Sequence, residues 1–259
     1  MAEALIRGLI MSGTANKKNI ISSDIDRKRS GYLKKRYGIG IARDNVSAFK
    51  NASVIVLSVK PQNMAGVVSE IRRAVRRDQL VISIAAGISI KGLQKALPGV
   101  PVIRTMPNNP ALIGEGMTAI SMGKHAGAKH VKTAQKIFGS VGDVVLIPEK
   151  LMDAVTALSG SGPAFVYEFL SGMVNGGIRA GLGRVAAEKL ARKTILGAIR
   201  TVELTGKSPK DLVRMVASPG GTTEAGLKVL GKNRFGEIIK GAIISAAKRS
   251  REISRRYCV

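Results

Sequence analysis

The chain has 259 residues, with 42 Lys+Arg against 17 Asp+Glu and a formal net charge of +25. Hydrophobic residues make up 45%, enough to bury a sizeable core, which excludes a disordered basic tail protein. The apolar run Val81–Ala86, broken only by Ser83, falls far short of the roughly 18–20 residues that span a bilayer, and Glu3 and Arg7 interrupt the N-terminal apolar stretch, so neither a membrane span nor a signal peptide is expected.

The first half alternates short β-rich runs with helical patterns. Asn19–Ser23 reads as a strand, and Asp26–Tyr37 as a helix ended by Gly38. Ala52–Val59 is a near-continuous apolar run, the pattern of a strand buried on both faces, and Pro61 breaks it. Met64–Val75 has helical spacing, Leu80–Ala85 reads as a strand, and Ile90–Leu97 as a short helix stopped by Pro98-Gly99. Val100–Met106, Gly116–Met122 and Val144–Ile147 read as further strands, with a helix near Val131–Phe138. Such alternation implies a parallel, doubly wound sheet.

From about Lys150 the pattern is helical throughout. Pro163–Ala180, Arg184–Leu204, Asp211–Ala217, Glu224–Leu230 and Arg234–Ser254 read as helices, with Ser208-Pro209 as an N-cap followed by proline at the first helical position. The expected division is therefore an α/β, Rossmann-like nucleotide domain over residues 1–150 and an all-α domain over 151–259. Gly172, Gly176, Gly177 and Ala180 suit close helix–helix approach, and Ile239, Ala242, Ile243 and Ala246 form an apolar stripe on the last helix. That is more apolar helix surface than a lone domain of this size covers, so a homodimer or higher homo-oligomer is expected.

Charge and chemistry narrow the class. A pI of about 10.7 points to an anionic partner. The basic clusters Arg27–Arg36, Arg72–Arg77 and Lys248–Arg256 are scattered, however, and aromatics are only 3%, which argues against a base-stacking nucleic-acid platform. Cys258 is the single cysteine, and His125 and His130 are the only imidazoles, so neither an intrachain disulfide nor a zinc enzyme is expected. A soluble, cytoplasmic, metal-free protein remains.

Several glycine- and proline-rich turns follow the apolar runs. Ser218-Pro219-Gly220-Gly221-Thr222-Thr223 opens a helix, where free backbone N–H groups and the helix dipole suit a carboxylate or phosphate. An ordinary N-cap and helix corner is an equal reading of the same residues. Ser159-Gly160-Ser161-Gly162-Pro163 is either a second anion cradle or a site of close helix crossing. Ser58-Val59-Lys60-Pro61, Ala85-Ala86-Gly87 and Met106-Pro107-Asn108 each follow a buried strand, and their convergence favours a cofactor crevice at the carboxyl ends of the sheet.

These segments resemble the pyrroline-5-carboxylate reductase family. The matching stretches are VKPQ (59–62), ISIAAG (82–87), MPNNPALIGEG (106–116), DAVTALSGSGPAF (153–165) and DLVRMVASPGGTTEAGLKVL (211–230). The last is the most specific. The resemblance implies reduction of the cyclic imine 1-pyrroline-5-carboxylate to L-proline by NADPH, with NADH as the alternative donor. It implies that Ser218, Gly220, Gly221, Thr222 and Thr223 hold the substrate, that Thr223 faces the imine nitrogen, and that Glu149 lines the site unless it is a plain surface acid. It further implies a cofactor contacted by Ser22, Ser23, Asp24, Arg27, Asn45, Ser58, Val59, Lys60, Pro61, Ala85, Ala86, Gly87 and Asn108. Helices interlocked between subunits and an active site made from two chains belong to the same implication.

The chain departs from the family pattern at its start. Members begin with a strand and a G-x-G-x-x-[AG] turn ahead of the helix that MAEALIRGLI resembles, and this sequence begins inside that motif. In the strand order 3-2-1-4-5-6 the missing strand is central. Unpaired ladder groups on its neighbours and loss of the pyrophosphate cradle are the expected consequences, as for a fragment or a start placed too late. Met215 is a smaller departure, standing where relatives often carry a polar side chain. Asp24 favours a free ribose 2′-hydroxyl, whereas Ser22, Ser23, Arg27 and Lys28 favour a 2′-phosphate, and the basic run tips the expectation to NADPH. The alternatives at this point are another imine or hydroxyacid reductase of the same plan, a cofactor-deficient remnant, and a basic nucleic-acid binder.

Overall fold

The computed structural model describes residues 1–256, so Cys258 lies outside the described residues. The chain divides into two compact units: Met1–Ser161 together with the described residues from Ile244 on, and Gly162–Ile243. The expected division at 150/151 falls inside the first unit.

In the first unit the elements run α1 (Ala2–Met11), β1 (Ile21–Ser22), α2 (Arg27–Tyr37), β2 (Gly40–Ile41), α3 (Asn45–Lys50), β3 (Val54–Leu57), α4 (Pro61–Ile71), β4 (Leu80–Ser83), α5 (Ile90–Ala96), β5 (Val102–Met106), β6 (Gly116–Met122), α6 (Ala128–Gly139), β7 (Gly142–Leu146) and α7 (Met152–Val155). Local chemistry sets the boundaries. Asp26 caps α2 by accepting from Lys28 and Arg29 N–H, and Gly38 ends it in the left-handed region at φ 67°. Pro61 stands in the first turn of α4.

The strands form two sheets. β1 and β2 pair in parallel, and β3-β4-β5-β6-β7 form a five-stranded sheet. β3-β4, β4-β5 and β6-β7 are parallel. The wholly parallel sheet read from the alternation needs correction at β5-β6, which is antiparallel. The connection there, residues 107–115, is shorter than the dozen or so residues that a parallel crossover needs. β3 is an edge of the larger sheet and pairs with neither β1 nor β2. Among the described residues no strand stands between β1 and β3, the position of the central strand in the doubly wound order.

Both faces of the larger sheet are covered, which is why β4 is buried along its whole length. One face packs Ile55, Leu57, Val81 and Val102 against Met64, Val68 and Ile71 of α4 and Leu93 of α5. The other packs Ile82, Ile103 and Ile120 against Leu5 of α1 and Phe138 of α6. Gly8 lets α1 lie close on the turn after α6, since a Cβ there would meet the Ser140 carbonyl at 2.6 Å. α1 is tied to α2 by the Glu3 carboxylate, which accepts from Arg29 at 2.5 Å, Tyr37 at 2.8 Å and Tyr32 at 3.0 Å.

The second unit is all helix: α8 (Gly162–Arg179), α9 (Arg184–Thr205), α10 (Pro209–Val216), α11 (Thr222–Lys232) and the start of α12 (Phe235–Arg256), whose last turns belong to the first unit. Its buried hydrophobic core is small, Val174 with Ala187 and Ala191 where α8 meets α9. Gly177 serves that crossing, with its would-be Cβ 3.4 Å from Ala187, whereas Gly172 and Gly176 face open space. Leu196, Ile199, Leu204, Val216 and Val229 are all more than half exposed. No described helix is long and apolar enough to cross a membrane.

Candidate active site

β3, β4 and β5 run in parallel side by side, so the segments after them share one sheet edge. Ser58, Val59, Lys60 and Pro61 follow β3, with Lys60 at the N-cap of α4. Ala85, Ala86 and Gly87 follow β4. Ser83 shapes that turn: its Oγ accepts from Ala85 N–H at 3.3 Å, and its carbonyl accepts from the Thr105 hydroxyl at 3.3 Å. Gly87 has φ +79°, a conformation that favours glycine.

Asn108 follows β5. Its Oδ1 accepts from Met117 N–H at 2.9 Å, and its Nδ2 donates to Ser159 Oγ at 3.2 Å. It thus fastens the turn at the end of β5 to the segment at Ser159. A Cβ at Gly160 would come 2.7 Å from Met106 Cε, so this glycine permits close packing on the end of β5.

The β1 end carries Ser22, Ser23, Asp24 and Arg27. Asp24 Oδ1 accepts from Asp26 N–H at 2.9 Å, and Arg27 donates to the Arg43 carbonyl at 3.1 Å. Arg27 and the Arg43 segment are thereby drawn together beside two serine hydroxyls, a donor set that fits a phosphate on the adenosine ribose. Asn45 sits further off this edge, on α3, with its amide on Glu70 of α4 at 2.8 Å. Hydroxyls and cations at the β1 end, with the small-residue turn Ala85-Ala86-Gly87 at the end of β4, fit a nicotinamide dinucleotide laid along the carboxyl ends. The first turn of α1 has no side-chain cap, which leaves its N–H groups to an anion.

Glu149, expected to line the substrate site, has a structural position. Its Oε1 accepts from Ile90 N–H at the start of α5 at 2.6 Å and pairs with Arg104 of β5 at 3.3 Å. Arg104 is nearly buried and went unnoticed in the sequence, although a lone arginine inside an apolar strand is a signal that a carboxylate must meet it.

In the second unit, Ser218–Thr223 makes a tight turn into α11. Gly221 is the N-cap, Gly220 has φ +72°, and Gly221 N–H closes on the Ser218 carbonyl at 3.0 Å. Gly220 N–H donates to the carboxylate of Glu224 at 2.8 Å, and Lys228 pairs with Glu224 at 3.2 Å. The Gly220 N–H, then Lys228, hold the Glu224 carboxyl below its ordinary range, outweighing a small desolvation. Sequence reading passed over Glu224, although Glu three residues beyond an N-cap is the pattern of a side chain reaching back to the turn. The Thr222 and Thr223 hydroxyls make no hydrogen bond among the described residues. No cluster of metal-ligating side chains occurs among the described residues.

Known proteins resemble the chain over nearly its whole length. The family profile described as "Pyrroline-5-carboxylate reductase dimerisation" matches residues 149–253, and one described as "NADP oxidoreductase coenzyme F420-dependent" matches residues 1–87. A pyrroline-5-carboxylate reductase from Synechocystis sp. is 41% identical over 256 residues, which cover 99% of this chain and 96% of the relative. The enzyme of that name from Pisum sativum is 38% identical, with 98% and 93% covered. A solved pyrroline-5-carboxylate reductase from Coxiella burnetii superposes with a TM-score of 0.90 at 31% identity, covering 98% of this chain and 94% of that one. The Plasmodium falciparum pyrroline carboxylate reductase, solved with NADP bound, gives 0.89 at 29% identity, with 97% and 93% covered. A strand–helix half with the Gly87 turn at its sheet edge, a helical half opening α11 with Ser218–Thr223, and this likeness along both halves lead to one conclusion: the chain belongs to the pyrroline-5-carboxylate reductase family, a family of oxidoreductases.

Proposed function

We propose that this chain reduces 1-pyrroline-5-carboxylate to L-proline, with NADPH preferred over NADH, as a cytoplasmic homodimer or a multiple of one. The observation that carries the substrate reading is the Gly220 N–H, which already receives a carboxylate, that of Glu224, at 2.8 Å. The turn is thus built to receive the carboxylate of the imine on Ser218, Gly220, Gly221 and Thr222. Thr223, whose hydroxyl has no partner among the described residues, lies beside that seat and holds the imine nitrogen. A substrate that arrives as the iminium needs orientation rather than a strong acid.

Bound NADPH supplies the hydride. Ser22, Ser23 and Arg27 hold its 2′-phosphate, and Ser58, Val59, Lys60, Pro61, Ala85, Ala86 and Gly87 present backbone and small side chains to the rest of it. Asn108 and Asn45 act as braces for the surrounding segments, given their existing hydrogen bonds. Glu149 acts as scaffold. The functional division at 150/151, cofactor half before it and dimerisation and substrate half after it, lies next to the start of the dimerisation match at residue 149.

The decisive assay follows NADPH oxidation with 1-pyrroline-5-carboxylate and identifies the product. Proline formation with a higher kcat/KM for NADPH than for NADH is the expected result. Turnover of a hydroxyacid or ketoacid in its place would move the chain to another reductase class.

A further inference from the structure

We propose that Asp153 is a positioning residue for the cofactor, acting by clamping the last turns of α12 onto the Gly87 turn. The proposal rests on the reading of Ala85–Gly87 as part of the cofactor site.

Ser250 of α12 is 4% exposed, although it is polar and sits in the basic run Lys248–Arg256. Its hydroxyl donates to Asp153 Oδ1 of α7 at 2.6 Å. One turn further on, the Ser254 hydroxyl lies 3.5 Å from the same oxygen and 3.1 Å from the Ser250 carbonyl. A single carboxylate therefore meets two successive turns of the helix. A hydrogen bond to an ionised acceptor is stronger than a neutral one, and a buried hydroxyl left without a partner is costly.

This clamp sets the helix against β4. A Cβ at Gly87 would lie 2.9 Å from Ile253 Cγ2 and 3.2 Å from Ser254 N, so the backbone of α12 rests on the Gly87 turn with room for a glycine alone. The helix thus backs the turn that follows β4. The same helix end carries Lys248, Arg249, Arg251, Arg255 and Arg256 against Glu252, which pairs with Arg249 at 2.8 Å. Basic residues suit the negative end of a helix dipole. Here they also bring positive charge to the sheet edge at which an anionic dinucleotide is read to bind. A loosened helix end would unseat the Gly87 turn and weaken cofactor binding. The Ser218–Thr223 turn, in the second unit, would keep its own geometry.

The test compares Asp153→Ala, Asp153→Asn and Ser250→Ala in the full chain. NADPH dissociation is measured by fluorescence, and steady-state constants are measured below the melting temperature of every variant. Asp153→Ala and Ser250→Ala are expected to raise both Kd and KM for NADPH about tenfold. kcat and the KM for the imine should stay within twofold, and Asp153→Asn, which keeps the hydrogen-bond acceptor, should restore most of the affinity. A merely structural contact would lower the melting temperature with Kd and KM for NADPH unchanged, and that result overturns the clamp. Ser250→Ala removes one oxygen, so it reports even if Asp153→Ala fails to fold. If the wild type binds NADPH and Ser250→Ala binds it equally well, the clamp alone is wrong. If the wild type binds no NADPH, the cofactor reading falls and the clamp with it.

Discussion

Glu149→Ala separates scaffold from substrate contact at a position where the two readings give different numbers. Arg104 is buried on β5 with its side chain 7% exposed, and Glu149 is its ion-pair partner. The same Glu149 oxygen also takes the first N–H of α5. Removing one partner of a buried pair costs about 3–5 kcal/mol, because the other charge is left without compensation. Glu149 itself is 32% exposed, so water relieves part of that penalty and about 2–3 kcal/mol is the expected loss. For a domain of this size that is a fall of about 5–10 °C in Tm. Glu149→Gln keeps an oxygen for Ile90 and Arg104 and should lose less than half as much. Thermal unfolding and steady-state kinetics with the imine are measured on both variants. The scaffold reading expects a lowered Tm with KM for the imine within twofold of wild type. An unchanged Tm with a KM raised tenfold would refute it and return Glu149 to the substrate site.

The other expectations concern the substrate turn, the sheet and the assembly. Thr223→Ala should lower kcat/KM by roughly 10–100-fold, about 1.4–2.7 kcal/mol, with stability unchanged, and an unchanged kcat/KM removes Thr223 from the site. Glu224→Ala frees the Gly220 N–H, so KM for the imine should fall severalfold; a rise would mean that Glu224 shapes the turn rather than competing for it. A chain extended by a strand for the place between β1 and β3 and a glycine turn ahead of α1 should bind NADPH at least tenfold more tightly, because charge-assisted N–H bonds to the pyrophosphate are added. Equal dissociation constants by calorimetry would show these additions to be dispensable. Gly176→Glu places a charge where the single chain leaves open space, so it should split the oligomer in sedimentation and abolish activity while the helical content stays.

Much of the architecture was readable because its signals are local. The buried run around Val54–Leu57, the caps Asp26 and Ser208, and the stops Gly38 and Gly206 each act within a few residues. β2 and α3 were missed because Gly40–Ile41 and Asn45–Lys50 are too short to show a period. β6 was read with its bounds, Gly116–Met122, but its antiparallel direction was not, because direction is set by the length of the preceding connection and not by composition. Site residues divide in the same way. The glycine turns announce themselves through backbone requirements and Glu224 through its place three residues beyond an N-cap, whereas Glu149 and Asp153 take their partners through tertiary contacts that no spacing rule specifies. Asn108 illustrates the limit: its motif was noticed, but its two hydrogen bonds, to Met117 and Ser159, are visible only in three dimensions.

The helical unit is where single-chain reasoning stops working. A domain normally buries its apolar residues against its own elements, and here the buried hydrophobic set is Val174, Ala187 and Ala191. Val185 is 81% exposed and Leu204 84%, on a helix of ordinary composition. Scattered apolar surface is normal, but this much along α8 to α12 is more than monomers leave to water. Ion pairs do not cover it: those along these helices join neighbours one turn apart, as in Arg200–Glu203 and Lys240–Glu237. Such pairs contribute little and do not cover apolar surface. A second copy supplies the missing cover in kind: the dimerisation profile spans these helices, and Gly172 and Gly176 leave room for close approach of another backbone. A stable interface of this sort buries above about 2,000 Å². If a second copy completes the core of this half, its folding is coupled to assembly and its Tm should rise with protein concentration; a Tm independent of concentration would refute the reading.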